Sequence, residues 1–365
     1  MNTVSAAQPG SPSALASAPH PLWQLDAVRG AAAAYIALAH LCRDRLDDIF
    51  PRLDLFFSFG QEVVIAFFLL SGFVIHWSVE HKPGLAFRDY LRARAVRIYP
   101  LFLLTLLLAF AIARWQHSAD PRTDWSTLLG NVLMLQDWGV VKPGVWVEVY
   151  AGVLVLWSLS YEWWFYVLYY PISRRIAPAK QAWVVGAISL SQAVVCWWWP
   201  NQASRFLMYF CIWWTGVELA RAYLARQPMT LATLAVPLGA VSAVALVLGG
   251  LVWRTHTAGI PLQAGAHPVL ELRHFVAAVL ITVAALAWYR VHWTGLRLVL
   301  GAFIPVAPWA YALYLLHEPL VLHTNALGFI THPLLRVILD VILVCVAAWL
   351  AETFFQRWCR RLLLR

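Results

Sequence analysis

The chain has 365 residues, of which 61% are hydrophobic and 12% charged, with a formal net charge of +9. Soluble domains are roughly 45–50% apolar and about 25% charged, so a water-soluble globule is excluded. Apolar runs recur from Leu55 to Leu350 with short polar gaps, and runs such as Leu101–Ala113 and Leu231–Trp253 are apolar on all sides. That pattern excludes a single anchor and the period-two alternation of a β-barrel, leaving an all-α integral membrane protein.

The Lys and Arg lie between the hydrophobic runs rather than in one soluble patch, so topology explains them and no nucleic-acid partner is expected. Five scattered cysteines (Cys42, Cys196, Cys211, Cys345 and Cys359) form no CxxC pair, which predicts neither a disulfide framework nor a zinc site.

Residues 1–22 are rich in Ala, Ser and Pro and carry no Lys or Arg, which predicts a disordered, uncleaved tail rather than a signal peptide. The hydrophobic pattern then predicts about ten transmembrane helices within a domain at 23–356. They fall at 26–42, 55–79, 98–115, 150–170, 181–199, 204–222, 230–253, 268–290, 307–323 and 334–356, before a basic tail at 357–365. The Ala-rich run at 31–34 predicts close packing of the first helix, and Ser126–Gln136 is too short to span and reads as re-entrant or interfacial. With the N-terminus inside, most of the 27 Lys and Arg fall in alternate segments, so an even number of spans puts both termini in the cytoplasm. Clusters such as Trp197–Trp199 read as interfacial belts.

Ionisable groups inside spans cost about 2.5–3.5 kcal/mol each on insertion scales and are functional candidates for that reason. Arg29 and His40 are separated by eleven positions, which is about three helical turns plus 20° and a rise of about 16 Å, so both point to one face. That arrangement suits a long ligand with phosphates at one end and reactive chemistry at the other; a snorkelling Arg and a hydrogen-bonding His are the plainer alternative. Arg94 and Arg97 are i, i+3 neighbours at the mouth of the third span, a geometry for gripping phosphate oxygens or anionic lipid headgroups. Ser158, Glu162 and Tyr166, at i, i+4 and i+8, form one polar stripe through an aromatic helix, either facing a wet cavity or gluing helices together. Tyr311, Tyr314, His317 and Glu318 interrupt the ninth span and read as structural or substrate-side groups. The remaining histidines have no spacing that argues for a metal site.

Taken together, these segments resemble the acyltransferase-3 family of integral membrane O-acyltransferases. The resemblance rests on Leu25-Asp26-x-x-Arg29-Gly30 with His40, on Phe67-Phe68-x-x-Ser71-Gly72-Phe73, and on Arg94-x-x-Arg97-Ile98-x-Pro100. It continues through Trp157-Ser158-Leu159-x-x-Glu162-x-x-Phe165-Tyr166 and Tyr311-x-x-Tyr314-x-x-His317. One departure is Ile65, where relatives often carry an acidic residue; Glu62 lies one helical turn earlier. Some members carry an extracytoplasmic esterase-like domain, which is not expected here.

The resemblance implies a multi-pass protein of the bacterial inner membrane. It implies transfer of an acyl group, usually acetyl, from cytoplasmic acyl-CoA to a hydroxyl of a cell-surface or exported glycan, lipid-linked or not. Acetyl-CoA is then a co-substrate, and no permanently bound cofactor is expected. In that scheme Arg29, Arg94 and Arg97 hold the CoA phosphates, and His40 is either general base or transient acyl carrier. Glu162 orients His40 or holds the acceptor, and Asp26, Ser71, Ser158, Tyr166, Tyr314 and His317 support substrate or site. Acceptor recognition is expected in loops 116–149 and 254–267. The rival reading, a transporter or flippase of a lipid-linked saccharide, calls for inverted repeats, and the two halves show no convincing similarity.

Overall fold

The computed structural model describes residues 22–46, 50, 52–116, 120–324 and 327–364. The expected N-terminal tail therefore lies outside the described residues except for Leu22, as does Arg365. The described chain is almost entirely helical: α1 (Trp23–Leu46), α2 (Leu53–Phe57), α3 (Gly60–Glu80), α4 (Phe87–Trp115), α5 (Trp125–Val132), α6 (Trp157–Arg175) and α7 (Pro178–Trp198) come first. They are followed by α8 (Gln202–Leu224), α9 (Ala235–Thr257), α10 (Val269–Arg290), α11 (Leu296–Leu300), α12 (Ala310–His317), α13 (Pro333–Leu350) and α14 (Arg357–Leu363).

Among the described residues, seven helical segments are long and apolar enough to cross a membrane: Trp23–Leu46, Leu55–Glu80, Phe87–Trp115, Ala235–Thr257, Val269–Arg290, Leu296–His323 and Pro333–Leu363. The spans expected near 150–170, 181–199 and 204–222 also form helices, α6 to α8, but with more Trp, Tyr, Ser and charge. In α8 the residues from Met208 to Val217 are all buried, so protein rather than lipid surrounds them and their hydropathy is under less demand. The span expected at 150–170 starts as a helix only at Trp157, because Ala151 (φ 50°) and Gly152 (φ 72°) turn the chain before it. The span at 307–323 is likewise composite. Residues 301–309, with Pro305 and Pro308 withholding two backbone donors, wind as a 3-10 helix, and 318–323 as a π-helix. The short apolar stretch at 126–136 becomes α5, eight residues long and N-capped by Asp124, which accepts the Thr127 N–H at 2.6 Å.

Glycines set the closest helix contacts. A Cβ on Gly72 would lie 2.0 Å from the Trp213 carbonyl oxygen, and one on Gly216 would lie 2.0 Å from that of Leu69, so α3 and α8 touch backbone to backbone at reciprocal glycines. The Ala-rich first helix packs as expected, with Ala27, Ala32, Ala33, Ala37 and Ala39 buried. At the other end of the chain α14 and the turn before it lie along α4: Gln356 donates to the carbonyls of Val96 (2.9 Å) and Arg97 (3.1 Å), and Arg92 donates to that of Leu363.

Residues 120–156 fold over the bundle with a two-stranded parallel ladder, β1 (Gln136–Asp137) and β2 (Val147–Glu148). Its anchor is a fully buried ion cluster. Asp137 accepts from Lys142 Nζ at 2.8 Å and from Tyr161 Oη at 2.7 Å, while Arg205 Nε lies 3.5 Å away. Burial alone raises a carboxylate's pKa, yet the Lys142 and Arg205 charges hold Asp137 below its ordinary value. Removing one partner of a buried pair strands the other charge, so Lys142→Ala should cost about 3–5 kcal/mol of stability. Urea unfolding in detergent at neutral pH measures it. Asp137's pKa is depressed by folding, so its contribution is present above the unfolded carboxylate pKa and is lost as acid drops the pH through the folded value.

Candidate active site

Polar side chains on α1, α3, α4, α6 and α12 converge on a cavity of about 180 Å³. It is lined by Arg29, Arg94, Arg97, Ser71, Ser158, Glu162, Tyr166, Tyr311 and Tyr314, so nine of the residues singled out in the sequence share one space. The i, i+4, i+8 stripe on α6 faces it as a unit. Glu162 accepts a hydrogen bond from Ser71 Oγ at 2.7 Å and another from Tyr166 Oη, and Ser71 accepts from Trp213 Nε1 at 3.1 Å. The close α3–α8 approach at Gly72 and Gly216 is what brings Trp213 within reach.

Two of the three arginines are ion-paired. Arg29 pairs with Asp26 at 3.4 Å, and Arg97 pairs with Glu352 while its guanidinium lies 5.1 Å from the centre of the Tyr311 ring. Arg94 lies over Tyr90, and its Nε is buried with no hydrogen-bond partner among the described residues. Three guanidinium groups and the Glu162 carboxylate line the cavity together.

His40 does not line this cavity. It lines a second one, of about 670 Å³, with Arg43, Asp44, Gln61, Trp138, Trp157, Arg273 and Glu318. Both cavities are lined by Val64 and Tyr314, which form the neck between them. Tyr314 is fixed there by its hydroxyl, which donates to the Val155 carbonyl at 3.0 Å and accepts from Ser158 at 2.8 Å.

Glu162 therefore has no contact with His40, contrary to one sequence expectation; the helix stripe that carries it faces the arginine side of the neck. The group bonded to His40 is His317, with its Nε2 3.2 Å from His40 Nδ1. His317 Nδ1 lies 3.1 Å from the Leu313 carbonyl, which can only accept, so that nitrogen carries hydrogen. With both rings neutral, His317 Nε2 is the acceptor, His40 Nδ1 the donor, and the lone pair of the pair is left on His40 Nε2. Next to His317, the buried Glu318 accepts from the backbone N–H groups of Leu154 (2.8 Å) and Val155 (2.9 Å), locking the approach to α6.

Two further residues escaped the sequence reading as site groups. Arg273 lay inside a predicted span and Glu352 occupied the last one, while Glu318 was read only as a structural or substrate-side group. Each is an ionisable group in an apolar run, which is the signal that marks them. Glu62, the carboxylate nearest the missing acidic position, pairs with Arg273 at 2.6 Å and lines neither of these two cavities, while Ile65 is fully buried. Trp138 and Ala264, from the two loops where acceptor recognition was expected, both line the His40 cavity.

The sequence profile of a family described as an acyltransferase domain matches residues 22–353. The acyltransferase MdmB of Streptomyces mycarofaciens is 31% identical over 280 residues, spanning 71% of this chain and 68% of that protein. No solved structure matches.

The neck predicts sided accessibility. In a variant without native cysteines, Ser71→Cys should react with an impermeant thiol reagent from one face of a proteoliposome only, and adding Tyr314→Ala should make it react from both. Labelling that is two-sided with Tyr314 in place would show the cavities to be already joined.

Proposed function

Since the chain belongs to the acyltransferase-3 family and is a membrane acyltransferase, we propose that its donor is cytoplasmic acyl-CoA, its acyl group acetyl, and its acceptor a hydroxyl of a cell-surface or exported saccharide. The observation that carries this reading is the pair of cavities that share Tyr314: one lined by three arginines, the other by His40. Coenzyme A has the matching shape, with phosphates at one end of a long arm and a thioester at the other. Arg29, Arg94 and Arg97 bind its phosphates, the arm lies along the Ser71–Glu162–Tyr166 wall, and the thioester reaches the neck.

His40 acts from the opposite side. Its free Nε2 takes the proton of an acceptor hydroxyl held in the larger cavity, the alkoxide oxygen attacks the thioester carbonyl, and the carbon–sulfur bond breaks. The thiolate leaves and receives the proton from the His40 imidazolium, giving ester and free thiol. His317, anchored on the Leu313 carbonyl, accepts the His40 Nδ1–H bond and fixes the tautomer. General-base catalysis is favoured over an acyl-imidazole intermediate because His40 lines the cavity that admits the acceptor rather than the one that admits the donor.

The topology that fits this chemistry has ten spans in a bacterial inner membrane, both termini cytoplasmic, and the arginine cavity facing the CoA pool. Supporting it, α14 lies against α4 beside the arginines, and Leu22 and Leu25 adjoin Arg29 in a small pocket, so both described ends sit on the arginine side.

Purified protein in nanodiscs with radiolabelled acetyl-CoA tests the proposal. His40→Ala should abolish transfer with no change in yield. Arg94→Ala removes a charge-assisted contact of about 1.5–3 kcal/mol, so KM for acetyl-CoA should rise about tenfold or more while KM for the acceptor stays. Transfer retained without His40, or a donor KM unmoved by Arg94→Ala, would refute the assignments.

A further inference from the structure

A third cavity, of about 880 Å³, runs along the outer side of α1 between α3, α10 and the 301–309 segment. Its walls are aliphatic and aromatic over almost their whole extent, from Val28 and Ala32 to Leu280 and Phe303. It is not a separate feature of the surface, because Phe57 and Arg273 line both this groove and the His40 cavity. On α3 the two spaces take alternate faces: Gly60, Gln61 and Val64 look into the His40 cavity, Glu62, Val63 and Ala66 into the groove.

The junction is polar where the rest is not. Arg273 pairs with Glu62 at 2.6 Å and donates to the carbonyls of Ala264 (3.0 Å) and Ser58 (3.3 Å), tying α10, α3 and the adjoining loop together at the passage. A molecule lying across it would place an apolar part in the groove, pass a charged and hydrogen-bonding rim, and set a polar head beside His40.

Building on the acyl-transfer reading of His40, we propose that the acceptor is an amphiphile borne in the bilayer, with a hydrocarbon tail that occupies this groove while its hydroxyl-bearing head enters the His40 cavity through the Phe57–Arg273 passage. The tail binds by burial of apolar surface, and the rim excludes it from the chemistry. Delivery is then lateral from the membrane, and the donor arrives from the arginine side, so the two substrates never compete for one entrance.

The test uses wild-type protein in nanodiscs and a dodecyl glucoside with a diazirine near the end of its chain. Crosslinks should fall on the peptides containing Ala32–Leu38 and Leu272–Leu280. Excess unlabelled dodecyl glucoside should suppress them, and equal amounts of methyl glucoside or of phospholipid should not. Ala277→Phe, which fills the groove away from both reactive cavities, should lower crosslinking and transfer to the dodecyl glucoside by about tenfold, the loss expected when about two methylenes of tail contact are displaced. Binding of labelled acetyl-CoA should stay unchanged in that variant. Crosslinks spread evenly over the lipid-facing helices, or suppressed equally by phospholipid, would show annular lipid only and overturn the proposal. Loss of acetyl-CoA binding in the wild-type protein would instead overturn the donor reading on which it rests.

Discussion

A carboxylate placed in the second turn of an aromatic helix has to find donors within the bundle, and the position of α6 follows from that demand. Glu162 takes Ser71 from α3 and Tyr166 from its own next turn, and Ser71 in turn takes the indole N–H of Trp213 on α8. One turn earlier, Ser158 reaches Tyr314 on α12. Four helices are thereby registered against one another by a single polar stripe. Hydrogen bonds of this kind gain little over water but are expensive to leave unmade, so they select the arrangement more than they strengthen it. The reciprocal glycines serve the same end, because backbone contact between α3 and α8 sets the distance at which Ser71 and Trp213 meet.

Much of the site was legible in the sequence because the bilayer makes rare residues conspicuous. Arg29, Arg94, Arg97 and Glu162 stand out as charges in apolar runs, and helical spacing groups Ser158, Glu162 and Tyr166 correctly onto one cavity. What helical spacing does not supply is the material between helices. Arg29 and His40 share a face of α1 as the eleven-residue interval predicts, yet Val64 from α3 and Tyr314 from α12 fill the space between them and divide one expected path into two chambers. The pairing of His40 with His317, 277 positions later in the chain, was equally out of reach, since no periodicity links residues on different helices. Proline placement explains the broken ninth span, and its two interior prolines were visible in the sequence, but their effect on winding depends on which neighbours satisfy the freed carbonyls.

The two chambers divide labour along electrostatic lines. The smaller is lined by Arg29, Arg94, Arg97 and Glu162; the larger mixes His40, Asp44, Gln61 and Arg273 with Trp138 and Trp157. The loop that supplies Trp138 rests on the buried Asp137–Lys142–Arg205 cluster, and Lys142 Nζ lies 3.9 Å from the centre of the Trp157 ring. Rigidity in the wall of the His40 cavity thus originates in charges that do not line it.

The π-helical winding at 318–323 follows directly on α12. His317 and Glu318, consecutive and so about 100° apart around the helix, face α1 and the entry to α6 respectively. The π winding closes the span, ending at His323 with Thr324 as its cap. The His40–His317 pair sits directly before it.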